Sequence, residues 1–352
     1  MGLTSANSAL KPVQELLQNG VVPQNYIQQF QDDSQVGDYP LPLMDTPTID
    51  FSLLLLSDPE ELAKLRTALS SWGCFQLVNH GMTIKLLYEV REMSKQFFKL
   101  PLDEKEKYSS KGDSLEGYGN DNAIRQGNFN WNDKLHLQVH PEHRRQLEFW
   151  PEIPQHFRTT LHEYSVKTKE VSESLLKAMA RSLKLEDNSF SELWGDDKED
   201  IIHARFNFYP RCPSAKQVVG LNAHTDGSAI TLLLQDKEVD GLQVLKDGQW
   251  FRVPIIPQAL VIHVADQLEI ASNGIFKSPV HKVVINPQYD RISIAMLPLP
   301  NPEKEIGPLK ELITEERPQL FKRLKNYGEF YFKYMARLAT MERQIDMVKI
   351  NY

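Results

Sequence analysis

Apolar residues change their spacing along this chain. In the first half they recur at helical intervals; in the second they alternate or cluster in short β-prone runs. After Asp58-Pro59, the side chains of Leu62, Leu65 and Leu69 share one face and predict a helix to about Ser71. A long amphipathic helix is predicted over about 84–99, stopped by Pro101, and a longer one over about 154–185. Thr48–Phe51, Gly73–Val78 (closed by Asn79-His80-Gly81) and Trp131–Val139 read as strands. Ahead of them, Val13–Leu17 is a short amphipathic segment ended by Asn19-Gly20, and a Gln/Asp-rich loop runs on to Pro47, an arm expected to pack on the body. Residues 110–130, polar and carrying Gly112, Gly117, Gly119 and Gly127, read as a mobile surface loop.

Past residue 200 the candidate strands are 203–209, 218–223, 229–235, 241–246, 250–253, 259–264, 268–271, 280–286 and 291–297, with turns such as Asp247-Gly248 and Asn273-Gly274 between them. The C-terminal 309–345 returns to helical spacing. Helices first and many short strands afterwards predict an α+β protein: a sandwich or jelly-roll core with helices packed outside it.

Composition narrows the function. A net charge of -7 with scattered Lys and Arg offers no basic stripe, which argues against nucleic acid as a partner. Two cysteines, Cys74 and Cys212, form neither a zinc pair nor a disulfide framework and suit a reducing compartment. No apolar run is long enough to span a membrane and no signal-peptide pattern opens the sequence, so the expectation is a cytoplasmic protein, a nuclear pool remaining open, with no membrane partner.

The chemistry gathers in Leu221–Gln235. His224 and Asp226 stand two apart at the head of a β-prone run, and residues i and i+2 of a strand point to the same face. Alone, a His-x-Asp pair is weak evidence. His281 opens the Val-Val-Ile run, and it would complete a 2-His-1-carboxylate facial triad of the kind that holds non-haem Fe(II) with positions left open. Arg291 and Ser293, again two apart, open the next run and would offer a cation and a hydroxyl to an anion. So polar a cluster inside a barrel needs a metal and an anion to offset its burial. A divalent metal and Arg291 balance Asp226 and a dicarboxylate. The bland reading, that short polar pairs arise by chance, stays open for each piece taken singly. His80, His140, His143, His156 and His162 lie in turns, polar surroundings or a helical run and read as solvated or hydrogen-bonded residues.

With these residues assembled, the chain resembles the plant 2-oxoglutarate- and Fe(II)-dependent dioxygenases, the superfamily of flavonoid-modifying oxygenases and opiate-alkaloid O-demethylases. The resemblance runs through Pro47-Thr-Ile-Asp50, Trp72–Gly81, Phe97–Pro101, Asn207-Phe-Tyr-Pro210, His224/Asp226/His281 and Arg291-Ile-Ser293. It implies a double-stranded β-helix (jelly-roll) core at 201–305, wrapped by a mostly helical N-terminal region, 1–200, and C-terminal helices, 306–352, as one integrated unit. His224, Asp226 and His281 would bind Fe(II). Arg291, Ser293 and Tyr209 would hold the distal carboxylate of 2-oxoglutarate, with Asn207 near its metal end. Lys134, His136, Arg205, Leu297 and Leu299 fall where substrate contacts lie, although Lys134 also reads as a solvated lysine at the mouth and Arg205 as one member of a structural ion pair. O2 is the co-reactant, ascorbate the reductant, and the implied protein is a monomer acting on a small alkaloid, phenylpropanoid, flavonoid or terpenoid by hydroxylation or O-demethylation.

Other outcomes stay open: oxidative ring closure or desaturation at the same site, a 2-oxoglutarate-independent oxidase, a non-catalytic metabolite-binding homologue, and a cupin-like metal hydrolase. Asp226 argues against a halogenase, which lacks that carboxylate. Two departures stand out. Phe208 replaces a common Tyr beside the retained Tyr209. His263-Val-Ala265-Asp266 stands where relatives commonly read Asn-x-Gly-Asp, so Ala265 would be strained if that position needs positive φ. The extra imidazole of His263 is expected in core packing.

Overall fold

A computed structural model describes residues 11–16, 22–28, 41–111, 114–122, 129–194, 200–299, 304–335 and 343–350. The strands of its two main sheets are β1 (Thr48–Asp50), β2 (Cys74–Val78), β3 (Gly117–Gly119), β4 (Asp133–His140), β5 (Ile201–Tyr209), β6 (Val219–His224), β7 (Ile230–Gln235), β8 (Leu242–Lys246), β9 (Gln249–Arg252), β10 (Leu260–Val264), β11 (His281–Val284) and β12 (Arg291–Leu299). Eight form a large sheet in the order β1-β2-β10-β7-β12-β5-β4-β3, and four form a smaller one, β6-β11-β8-β9. Residues before 200 supply β1 to β4, half of the large sheet. Pairing is antiparallel throughout except β1 with β2.

Strand periodicity divides the large sheet into two faces. Ile202, Ala204, Phe206 and Phe208 of β5, Ile292, Ile294 and Met296 of β12, and Ile230, Leu232 and Leu234 of β7 join the main apolar core. The helices Pro59–Ser71, Ile84–Phe98 and Phe157–Ser182 cover this face, contributing Leu65 and Leu69, Val90 and Phe97, and Leu161 and Leu175. The intervening residues of the same strands turn towards the smaller sheet and line a cavity with it. Two of the predicted helices begin where their caps dictate: Asp58 accepts from the Glu61 N–H at 2.9 Å and Thr83 from the Leu86 N–H at 3.1 Å. The arm at Val13–Leu16 is tied down by Asp133, whose carboxylate accepts from the Val13 and Gln14 N–H groups.

Three sequence expectations need correction. Residues 268–271, expected as a strand, belong to the helix Asp266–Ala271; all six of its residues are buried, so no exposed face marks its period. The described residues of 309–345 hold a 3-10 turn at Lys310–Leu312, a two-residue strand at Leu324–Lys325, a helix over Tyr327–Met335 and the start of a 3-10 segment at Gln344–Val348, with Pro318 inside the expected helix. The Gly-rich loop contains β3, which pairs with β4. Asn19-Gly20, Gly112 and Gly127 lie outside the described residues. No described helix is long and apolar enough to cross a membrane.

Candidate active site

His224 ends β6 and His281 begins β11, and the two are cross-strand partners. Direct opposition in the ladder brings their ring centroids to 4.2 Å. Asp226 follows in the turn towards β7, and its Oδ1 lies 3.6 Å from Nε2 of each imidazole. All three ligand atoms fall within 4.8 Å of one another. Each ring is oriented from behind: His224 Nδ1 meets the Asn222 carbonyl at 2.8 Å, and His281 Nδ1 meets that of Pro279 at 3.1 Å. With the proton on Nδ1, each Nε2 presents a lone pair to the shared space. On the outer side of Asp226, Thr231 donates to Oδ2 at 2.7 Å, and the backbone carbonyl accepts from the Asp266 N–H at 2.9 Å.

Burial and neighbouring charge act on His281 and Asp226 in opposite senses. Burial and the neighbouring His224 ring push His281 down to about 3, against the pull of Asp226, so it is neutral at physiological pH. Burial alone would raise Asp226, but the surrounding imidazoles, His281 foremost, hold it well below the usual carboxylate range.

The second group lies on β12 and β5. Register pairs Arg291 with Tyr209 and Ser293 with Asn207, and all four line the cavity. Arg291 is 1% exposed and lies over the Tyr209 ring, 5.2 Å from its centroid. None of its guanidinium nitrogens has a hydrogen-bond partner among the described residues. Gly241 makes room for it: a Cβ there would stand 3.1 Å from Arg291 Cδ and 2.9 Å from the Val284 carbonyl oxygen.

The far end of the cavity holds all five expected substrate-side positions, Lys134, His136, Arg205, Leu297 and Leu299. Its polar members already have partners. Asp121 lies 2.5 Å from Lys134 Nζ and 2.6 Å from Arg205 Nη2, and Arg205 Nε donates to Asn207 at 2.8 Å. Burial opposes its charge, yet Arg205 and Lys134 hold the Asp121 carboxyl well below its ordinary range. His136 Nε2 meets His203 Nδ1 at 2.7 Å, and burial keeps both rings neutral, His203 at about 4.

Sequence reasoning missed Asp121, His203 and Tyr331. His203 shares one strand face with Arg205 and Asn207, at alternate positions, so β5 carried a readable signal for it. Asp121 sits in the loop taken as surface, and Tyr331 comes from the helix Tyr327–Met335. Tyr331 packs so closely on the Asp226-Gly227 turn that a Cβ at Gly227 would fall 2.1 Å from its ring. His263, expected in the core, instead lines the cavity with its ring centroid 4.5 Å from that of His281. Ala265 adopts φ -114°, ψ 172°, ordinary extended backbone, so the departure from glycine costs no strain.

The cavity, the triad and the free guanidinium agree with the comparisons. The model of the 2OG-Fe(II) oxygenase superfamily matches residues 200–298, and that of the non-haem dioxygenase in morphine synthesis N-terminal region matches 46–153. The chain belongs to the 2-oxoglutarate- and Fe(II)-dependent oxygenase superfamily. It is 34% identical to Jasmonate-induced oxygenase 4 of Arabidopsis thaliana over 96% of this chain and 97% of that protein. It is 38% identical to codeine O-demethylase of Papaver somniferum over 79% of this chain and 78% of that one. The crystal structure of JOX2 in complex with 2OG, Fe and JA superposes with a TM-score of 0.84 at 29% identity, covering 98% of this chain and 99% of that one. The fold is the jelly roll of these oxygenases, and the enzyme is a 2-oxoglutarate-dependent dioxygenase that uses Fe(II), 2-oxoglutarate and O2.

Its own residues fit those groups. Two imidazoles and a carboxylate converge on one point, the donor set suited to Fe(II). A buried, unpartnered guanidinium beside a hydroxyl matches a carboxylate.

Proposed function

We propose that His224, Asp226 and His281 hold Fe(II), that Arg291, Ser293 and Tyr209 hold the distal carboxylate of 2-oxoglutarate with Asn207 alongside, and that the enzyme oxidises a C–H bond of a small, partly oxygenated plant metabolite by hydroxylation or O-demethylation. The observation that carries the reading is the unpartnered Arg291 guanidinium on the same cavity wall as Tyr209 and Ser293, in a cavity that also contains the three ligands.

When bound, Fe(II) and 2-oxoglutarate supply the oxidising power from O2, with succinate and CO2 as coproducts. The chain supplies placement. Carbonyls behind His224 and His281 fix their rings, and Thr231 engages one oxygen of Asp226 so that the other faces the imidazoles. Leu233, Leu242, Ala295, Leu297 and Leu299 give the cavity apolar walls that exclude water, and Tyr331 lies over the metal turn.

The cavity is about 380 Å³, a size suited to small molecules. Its polar corner combines Lys134 and Arg205 with a single carboxylate, Asp121, leaving one positive charge in excess. That excess favours a substrate with an electron-rich or acidic oxygen at this end and its oxidised carbon towards Asp226. The names of the relatives, an alkaloid demethylase and a jasmonate-induced oxygenase among them, support a specialised metabolite as the class. A monomer in the cytoplasm completes the reading, and the free, buried Cys74 and Cys212 support the reducing compartment.

A mass-spectrometric screen tests it. The protein is incubated with alkaloids, phenylpropanoids and terpenoids plus Fe(II), 2-oxoglutarate and ascorbate. Expected is one substrate class that gains an oxygen or loses a methyl group, with stoichiometric succinate, in a reaction that His224→Ala and Asp226→Ala abolish. Full turnover in either variant would refute the triad assignment.

A further inference from the structure

His263 is 1% exposed, and neither of its ring nitrogens has a hydrogen-bond partner among the described residues. A neutral imidazole carries one N–H and one lone pair, and leaving such a group buried and unsatisfied costs about 1–3 kcal/mol. A residue kept only to fill space would be apolar here, like Val261 and Val264 on the same strand.

Its position is specific. β10 pairs His263 with Thr231 of β7, so the two side chains reach the metal turn from adjacent strand positions. Thr231 Oγ1 donates to Asp226 Oδ2, and His263 Nδ1 stands 3.6 Å from that same oxygen. The opposite oxygen, Oδ1, is the one that faces His224 and His281. Asp226 is therefore approached from two sides that divide its oxygens: imidazole ligands on one, a hydroxyl and a further imidazole on the other. At 3.6 Å the Nδ1 contact is longer than a hydrogen bond, but Oδ2 is the carboxylate oxygen beside it.

We infer that His263 is a positioning residue for the metal carboxylate: its Nδ1–H donates to Asp226 Oδ2 alongside Thr231, reserving Oδ1 for the metal. The inference rests on the triad reading above. Partners of this kind behind a ligand are worth about 10- to 100-fold in metal affinity.

The test is a calorimetric titration of the full chain with Co(II) in the absence of 2-oxoglutarate, comparing wild type, His263→Asn, His263→Leu and Asp226→Ala. Asn and Leu are nearly the same size, but only Asn retains an N–H close to where the Nδ1–H was. Expected is a Co(II) Kd raised about 10- to 100-fold in His263→Leu and largely recovered in His263→Asn, with similar thermal melting of the two variants. A mere packing role would move both alike, so equal Kd values for Asn and Leu would overturn the proposal, whether or not the variants are destabilised. Asp226→Ala separates the two levels of the argument. If it loses Co(II) while both His263 variants bind like wild type, the triad stands and the positioning role fails. If Asp226→Ala also binds like wild type, the triad reading fails and carries this one with it.

Discussion

Replacing Arg291 with Met should have opposite effects on stability and on cosubstrate binding. Arg291 is buried to 1% exposure with no hydrogen-bond partner for its guanidinium among the described residues. Burying a charge without a partner is costly, and Met keeps the volume while removing the charge. We therefore expect Arg291→Met without 2-oxoglutarate to be more stable than wild type by about 1–3 kcal/mol. Unfolding entropy of about 2.1 cal/mol/K per residue over 352 residues gives about 0.7 kcal/mol per degree, so the gain is a Tm rise of about 1–4 °C.

Adding 2-oxoglutarate should narrow the gap or reverse it. Removing one partner of a buried, hydrogen-bonded ion pair costs about 3–5 kcal/mol, which at 1.4 kcal/mol per decade raises the Kd for 2-oxoglutarate by at least about 100-fold. At a concentration about 100 times the wild-type Kd, the ligand stabilises wild type by about 2.7 kcal/mol, or about 4 °C on the same scale. The variant at that concentration should move by less than a degree or so. Scanning fluorimetry with and without 2-oxoglutarate, Mn(II) present throughout, reads both effects, and calorimetry gives the Kd. An unchanged Kd would refute the anchor. A melting point that falls without 2-oxoglutarate would refute the argument that Tyr209, Asp236 and Asp240 leave the Arg291 charge incompletely compensated.

Two further perturbations probe the surroundings of the metal turn. Gly227→Ala places a Cβ where the Tyr331 ring lies, so the helix Tyr327–Met335 must shift off the cavity; we expect faster limited proteolysis at the C-terminus and a raised substrate KM, and an unaltered cleavage pattern would count against Tyr331 as a cover. Asp266 sits behind the same turn, where burial, only partly opposed by Arg343, pushes its carboxyl up to about 7. The folded state then holds its proton through a pH range in which the unfolded chain has lost it, so this residue's contribution to stability declines as pH rises towards about 7. Asp266→Asn cannot ionise, and its stability relative to wild type should increase by on the order of 3 kcal/mol between about pH 5 and about pH 8. Denaturant unfolding of both proteins at the two pH values checks this, and a difference independent of pH would contradict the raised carboxyl.

What the sequence revealed depended on how far apart the cooperating residues lie and on how their strands are buried. His224 and Asp226 are two apart, as are Arg291 and Ser293, so strand periodicity alone places each pair on one face. Register then completes what periodicity begins, setting His281 against His224 and Ser293 against Asn207. His203 obeys the same alternation, two positions before Arg205 on β5. His263 was not legible in this way. Its strand, Leu260–Val264, lies between the helix-covered core and the cavity, so its neighbours on both faces are apolar and alternation cannot say which way an imidazole points. Asp121 and Tyr331 were out of reach for a different reason: each arrives from a segment with no periodic link to the strands it meets. Asp121 enters from the Gly-rich loop to bridge Lys134 and Arg205, and Tyr331 enters from the C-terminal helix to press on Gly227. In the reading proposed above, the pairs legible on single strands hold the oxidising groups, and Asp121 and Tyr331 shape what lies beside them. Asp121 half-neutralises Lys134 and Arg205, which the resemblance itself places on the substrate side, and Tyr331 adds the cover over Gly227. On this reading, two chains that share His-x-Asp and Arg-x-Ser would carry out the same oxidation on different molecules where the distant segments that supply Asp121 and Tyr331 differ.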